Sequence, residues 1–116
     1  FKTKAMVVIP CSMRTLSGVV TSYANNLIVR AADVVLKEKR QLILVPRETP
    51  LHTGHCELLY KASLMGATLV PPSPAFYNHP ESIDDIINHT VGRVLDLIGL
   101  DNEIVKRWQG VGSKNE

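Results

Sequence analysis

Three short apolar runs, each closed by proline, punctuate a chain whose remaining apolar residues recur with helical spacing. Ala5-Met6-Val7-Val8-Ile9 ends at Pro10 and has the continuous pattern of a strand buried on both faces of a parallel sheet. Gln41-Leu42-Ile43-Leu44-Val45 ends at Pro46, and Ala67-Thr68-Leu69-Val70 runs into Pro71, Pro72 and Pro74. Those prolines predict a stiff, extended loop after the third strand. Between strands, Thr15 to Tyr23 and Leu27 to Lys39 read as helices parted at Asn25 and Asn26, the second with Leu27, Ala31, Val34 and Val35 on one face. A helix from about Gly54 to Met65 stops at Gly66. Ser82 followed by Asp85 predicts a helix N-cap. Ile83, Ile86, Ile87, Thr90, Val94 and Ile98 then carry the helical period to Gly99. The order β-α-α-β-α-β-α predicts an α/β fold, a parallel sheet with flanking helices and right-handed crossovers.

The chain has 116 residues, enough for one small domain or part of one, here 1–109, with 110–116 as a loose tail. It opens with Phe1 rather than Met and leads at once into a strand, which suggests a cut end. A net charge of +2, with no basic run interleaved with aromatics, argues against a nucleic-acid surface. The apolar runs are too short for a membrane span and nothing at the start resembles a signal peptide, so a cytoplasmic protein is expected. Cys11 and Cys56 stand alone, and His52, His55, His79 and His89 lack metal-ligand spacing. Neither a disulfide nor a metal is expected.

Ligands of an open parallel sheet bind beyond the carboxyl ends of its strands. After the first strand come Ser12, Met13, Arg14 and Thr15, at a helix N-terminus suited to anions; capping of the helix by Ser12 or Thr15 is the plainer role. Cys11 reads as a small packed residue. After the second strand, Arg47 and Glu48 are held between Pro46 and Pro50, either as a rigid charged pair for chemistry or as a solvated ion pair. After the third, Phe76 reads as packing, and the Tyr77 phenol fits either packing or binding. Arg30 and Lys37 share a helix face, with Asp33 placed as an i, i+4 partner of Lys37. Arg93 interrupts the final apolar helix, and Trp108 stands as an isolated anchor.

Four ordered segments, Pro10-Cys11-Ser12-Met13-Arg14-Thr15-Leu16, Arg30 through Glu38, Val45 through Leu51 and Pro74-Ala75-Phe76-Tyr77, closely resemble the UbiX/Pad1 family of flavin prenyltransferases. The resemblance runs from about Met6 to Trp108. It implies the C-terminal part of a Rossmann-like, three-layer flavoprotein sandwich. It also implies transfer of a dimethylallyl group from dimethylallyl phosphate to reduced FMN, making a prenylated flavin for a UbiD-type partner decarboxylase. Such enzymes form dodecamers with sites at subunit junctions.

By the same resemblance, Ser12, Met13, Arg14, Thr15 and Arg47 contact FMN. Tyr77, Arg93 and Trp108 belong to the prenyl-phosphate side, and Glu48, Lys37 and Arg30 occupy catalytic positions. Arg14 stands where the family often has Lys, and Leu58 replaces an Asn common after the family's His-x-Glu. The family's first strand and its glycine loop would lie upstream of Phe1, and without them the chain is expected neither to bind FMN tightly nor to catalyse prenyl transfer, and to leave an apolar sheet edge. Three rivals remain. One is a flavin-dependent cysteine decarboxylase, whose Pro-x-Met-Asn type motif is replaced here by Pro10-Cys11-Ser12-Met13. The others are a direct phenolic-acid decarboxylase and a non-catalytic flavin-binding or assembly fragment.

Overall fold

A computed structural model describes residues 4–100. They fall into two compact units, with the boundary between Pro71 and Pro72.

The first unit holds strands β1 (Ala5–Cys11), β2 (Gln41–Pro46) and β3 (Thr68–Leu69) and helices α1 (Met13–Thr21), α2 (Leu27–Lys37) and α3 (Thr53–Leu64). The strands form a parallel sheet in the order β1-β2-β3. Because that order advances in one direction, right-handed crossovers carry the connecting helices to one face, where α1 packs on α3. The α/β reading of the sequence holds.

β2 is the central strand, and Leu42, Ile43, Leu44 and Val45 are buried on both of its faces. Leu42 and Leu44 join Val8, Cys11, Leu16, Val19, Ala32, Val35, Ala62 and Ala67 in one apolar cluster. β1 differs from the sequence expectation in two ways. It runs through Pro10 to Cys11, with a register irregularity between Val8 and Cys11 that accommodates a residue lacking an N–H. It is also not buried on both faces, since Ile9 is half exposed at the outer edge of the sheet. β3 is shorter than its apolar run, although the Val70 N–H extends the pairing to the Leu44 carbonyl at 2.8 Å.

Helix ends follow side-chain chemistry. Ser12 and Asn26 accept the N–H of Thr15 and Val29 and so start α1 and α2, and α1 therefore begins ahead of Thr15. α2 closes at Lys37 rather than Lys39. Its buried face is Val29, Ala32 and Val35; Leu27 and Val34 point to solvent. Both stripes recur with nearly the same period, and packing selects the one whose smaller side chains let the helix approach its neighbours. Gly66, at φ +106°, supplies the left-handed turn that ends α3.

Among the described residues the second unit holds a 3-10 turn, Phe76–Asn78, and helix α4 (Ile83–Ile98). Ser82 Oγ accepts the Asp85 N–H at 3.1 Å, and the Asp85 carboxylate accepts the Glu81 N–H at 2.8 Å, the capping pattern expected from the sequence. Gly92 and Val94 are buried on α4, whereas Ile83 and Ile87 of the predicted stripe are exposed. Among the described residues no helix is long and apolar enough to cross a membrane.

Candidate functional site

The register of the sheet brings two of the candidate loops together. Cys11 pairs with Pro46 at the carboxyl ends of β1 and β2, so Ser12 and Arg47 leave neighbouring strands side by side, at the roughly 5 Å spacing of paired strands. Ser12 is wholly engaged in starting α1. Its hydroxyl accepts the Thr15 N–H at 3.0 Å and donates to Thr15 Oγ1 at 3.1 Å. The capping role and the anion-site role are thereby compatible, because the Met13 and Arg14 N–H groups precede the first intrahelical bonds and point out of the helix end. Arg14, Arg47 and Glu48 are exposed, and Arg47 and Glu48 take part in none of the ion pairs found among the described residues. Two guanidinium groups, free helix N–H donors and one carboxylate thus occupy a single edge of the sheet.

Cys11 lies beneath this edge. It is 1% exposed, and burial pushes its thiol up from the ordinary value, which favours the neutral thiol over a nucleophilic thiolate. The packed reading from sequence holds. Cys56 is exposed. In the native protein a thiol reagent should therefore modify Cys56 readily and Cys11 at least about tenfold more slowly, with both reacting after denaturation. Equal rates under native conditions would show that Cys11 is accessible.

Arg30 and Lys37 are exposed on α2. The bonds Lys39 N–H to Leu36 carbonyl and Arg40 N–H to Val35 carbonyl fold the end of α2 directly into Gln41. Lys37 therefore stands near the amino end of β2, away from Arg47 at its carboxyl end. The expected Asp33–Lys37 pair is not formed among the described residues; an exposed lysine in a last helical turn gains little from holding one geometry.

In the second unit, Tyr77 is 81% exposed on the 3-10 turn. Phe76 is 68% exposed as well, so it does not pack as the sequence suggested. The turn places both rings outward where a strand would have alternated them. Arg93 is exposed on α4 and donates to the Asp96 carboxylate at 3.3 Å, an i, i+3 pair. The signal for this pair in the sequence is the three-residue spacing of Asp96 from Arg93. Trp108 lies outside the described residues, as does the 110–116 tail. No cluster of metal-binding side chains occurs among the described residues.

The spacing of His52 and His55 does not suit a metal site. Here they form the N-terminal cap of α3, directly after the Arg47–Glu48 loop. Histidine is not a common capping residue, which is why the sequence gave no signal for it.

Comparison with known proteins places this geometry in a family. Residues 2–95 match the family described as Flavoprotein. A probable UbiX-like flavin prenyltransferase of Escherichia coli O157:H7 is 59% identical over 111 residues, covering 96% of this chain and 56% of the relative. Among solved structures, a dodecameric FMN-dependent UbiX-like decarboxylase from Escherichia coli O157:H7 superposes with a TM-score of 0.85 at 60% identity, over 88% of this chain and 56% of that one. AnUbiX in complex with FMN and dimethylallyl pyrophosphate also gives a TM-score of 0.85, at 48% identity, over 87% of this chain and 54% of that one. The chain thus spans a little over half the length of the proteins it matches. With a family match that covers β1 to β3 and nearly all of α4, the chain belongs to the flavoprotein family.

Proposed function

We propose that the protein acts as a flavin prenyltransferase, moving a dimethylallyl group from dimethylallyl phosphate to reduced FMN. The observation that carries this reading is the pairing of Cys11 with Pro46, which sets the N-terminus of α1 beside Arg47 and Glu48. A flavin nucleotide bears a dianionic phosphate and, when reduced, an electron-rich ring. Both suit a helix end flanked by guanidinium groups. On this reading Ser12, Met13, Arg14 and Thr15 bind FMN through the start of α1, and Arg47 adds a charge-assisted donor. A complex of AnUbiX with FMN and dimethylallyl pyrophosphate supports the pair of ligands.

When bound, reduced FMN supplies the nucleophile for the prenyl group. The chain's own residues then handle charge and protons. Phosphate leaves carbon slowly unless cations and hydrogen-bond donors stabilise its growing charge. Lys37, Arg93 and the Tyr77 hydroxyl are assigned that task, with Arg30 as a further cation and, by the family resemblance, Trp108 as a residue for the prenyl substrate. Glu48 serves as the proton acceptor, its carboxylate being the acidic group beside Arg47. Since Lys37 stands toward the amino end of β2, it is assigned to the site of a neighbouring copy in a homo-oligomer, a reading supported by the dodecameric UbiX-like relative. The product is passed to a UbiD-type decarboxylase.

The test is to incubate the protein, carrying the first strand and glycine loop that its relatives have, with reduced FMN and dimethylallyl phosphate under anaerobic conditions and to detect the prenylated flavin by mass. Carbon dioxide release from a phenolic acid, without prenylated flavin, would favour a decarboxylase instead. Replacing Arg93 by Ala should weaken use of the prenyl phosphate by about 10- to 100-fold, the range for losing a charge-assisted bond, while leaving FMN affinity unchanged. Its surface pair with Asp96 is worth at most about 1 kcal/mol, so stability should barely move. Equal loss of both affinities would contradict the assignment.

A further inference from the structure

His52 and His55 have no part in the chemistry proposed above, yet they are joined to each other by two hydrogen bonds and a ring contact. The His55 N–H donates to His52 Nδ1 at 3.3 Å, and the His52 N–H donates to His55 Nδ1 at 3.4 Å. Both bonds are long for their kind, and stacking adds to the hold: the ring centroids are 3.6 Å apart and the planes 20° from parallel. The ring of His52 also lies against Gly54, where a Cβ would come within 2.8 Å of His52 Cε1. Gly54 is not among the glycines with positive φ, so its backbone accepts a side chain and the imidazole ring alone stands in the way. The glycine serves the ring rather than a turn.

A firm anchor lies behind this cap. Ala62 of α3 is fully buried, and Leu58 and Leu59 pack on the apolar cluster, so α3 is fixed within the first unit. The loop ahead of it has no such support. Residues 47–51 are exposed and take part in none of the turn, loop or side-chain hydrogen bonds found among the described residues. The loop is tied at its two ends, where Pro46 pairs with Cys11 and where His52 caps α3. An exposed segment without bonds of its own takes its conformation from its ends. With the second end released it regains backbone freedom, which a ligand must remove again on binding.

We propose that His52 and His55, seated on Gly54, are positioning residues. Their paired rings hold the 47–51 loop to α3 and so keep Arg47 and Glu48 at the edge of the sheet, beside the start of α1. They act through the loop and not on the flavin itself. Their influence on flavin, and that part alone, rests on the proposed role of Arg47 and Glu48.

The test uses three variants of the protein, carrying the first strand and glycine loop that its relatives have. His52→Ala removes both the cap and the stack. His52→Ser returns an oxygen that accepts the His55 N–H, as common capping residues do. Gly54→Ala keeps both histidines and fills the seat of the ring. Amide order parameters at Arg47, Glu48 and Thr49 are measured by NMR relaxation without FMN, and FMN affinity and the denaturant midpoint are measured beside them. The wild-type loop should lie near the rigid value of about 0.85, and His52→Ala and Gly54→Ala should bring it below about 0.6, with the amides of β2 unmoved. Both variants should bind FMN about fivefold more weakly, the change expected for losing a helix cap, and His52→Ser should recover most of that loss. Gly54→Ala is the sharper of the two, because alanine favours a helix over glycine and loss of order there cannot come from helix propensity. A loop already flexible in the wild type, or unmoved in both variants whatever the denaturant midpoint does, would overturn the proposal. Lost order with unchanged FMN affinity would overturn the effect on the flavin site. Absence of FMN binding to the wild type would sink the flavin reading, whereas the order parameters would still decide the positioning of the loop.

Discussion

Leu44→Ala is expected to cost about 2–5 kcal/mol of folding stability, the range for truncating a buried leucine whose surroundings relax little. Leu44 is fully buried on the central strand, pairs in register with Val8 and Leu69, and sits in the cluster that joins the sheet to α1, α2 and α3. Few atoms nearby are free to fill the space. Since small domains are stable by only about 5–15 kcal/mol in total, the loss should be a large fraction of the whole. The denaturant midpoint should fall with little change in slope. Leu27→Ala is the control, because Leu27 is 80% exposed, and should stay within about 0.5 kcal/mol of wild type. A loss below about 1 kcal/mol for Leu44→Ala would mean that the sheet is not the core of the first unit.

Arg47→Ala is expected to weaken FMN binding by about 10- to 100-fold while leaving stability nearly unchanged. The first part follows from the loss of a charge-assisted donor beside the helix N-terminus. The second follows from the exposure of Arg47 and its absence from the ion pairs found among the described residues. Arg47→Lys should restore part of the affinity, since it returns the charge without the planar pair of donors. Paired measurements of FMN affinity and denaturant midpoint separate the two effects. Unchanged affinity in Arg47→Ala would remove Arg47 from the flavin site.

What the sequence made legible was set by local chemistry. Ser12, Asn26 and Ser82 announced helix starts because a short polar side chain next to an apolar period has few other uses. The apolar runs announced the strands, and their order announced the parallel sheet. The buried face of α2 matches the expected stripe only at Val35, because Val29 and Ala32 compete with Leu27, Ala31 and Val34 at similar spacing, and tertiary packing decides between them. The outward turn of Phe76 depends on backbone geometry that no apolar pattern encodes. Of the candidate site, Ser12 and Arg47 could be placed together from strand order alone. The reciprocal bonding of His52 and His55 could not, since it depends on ring orientation rather than on spacing.

The central claim, that the flavin site is built on the paired ends of β1 and β2, is tested most directly by titrating the isotopically labelled protein with FMN and following its backbone amides by NMR. The account predicts saturable shifts concentrated at Met13, Arg14, Thr15, Arg47 and Glu48, much reduced in Arg47→Ala. Amides of this edge that remain unmoved at saturating FMN, with the shifts collected elsewhere in the chain, would contradict it.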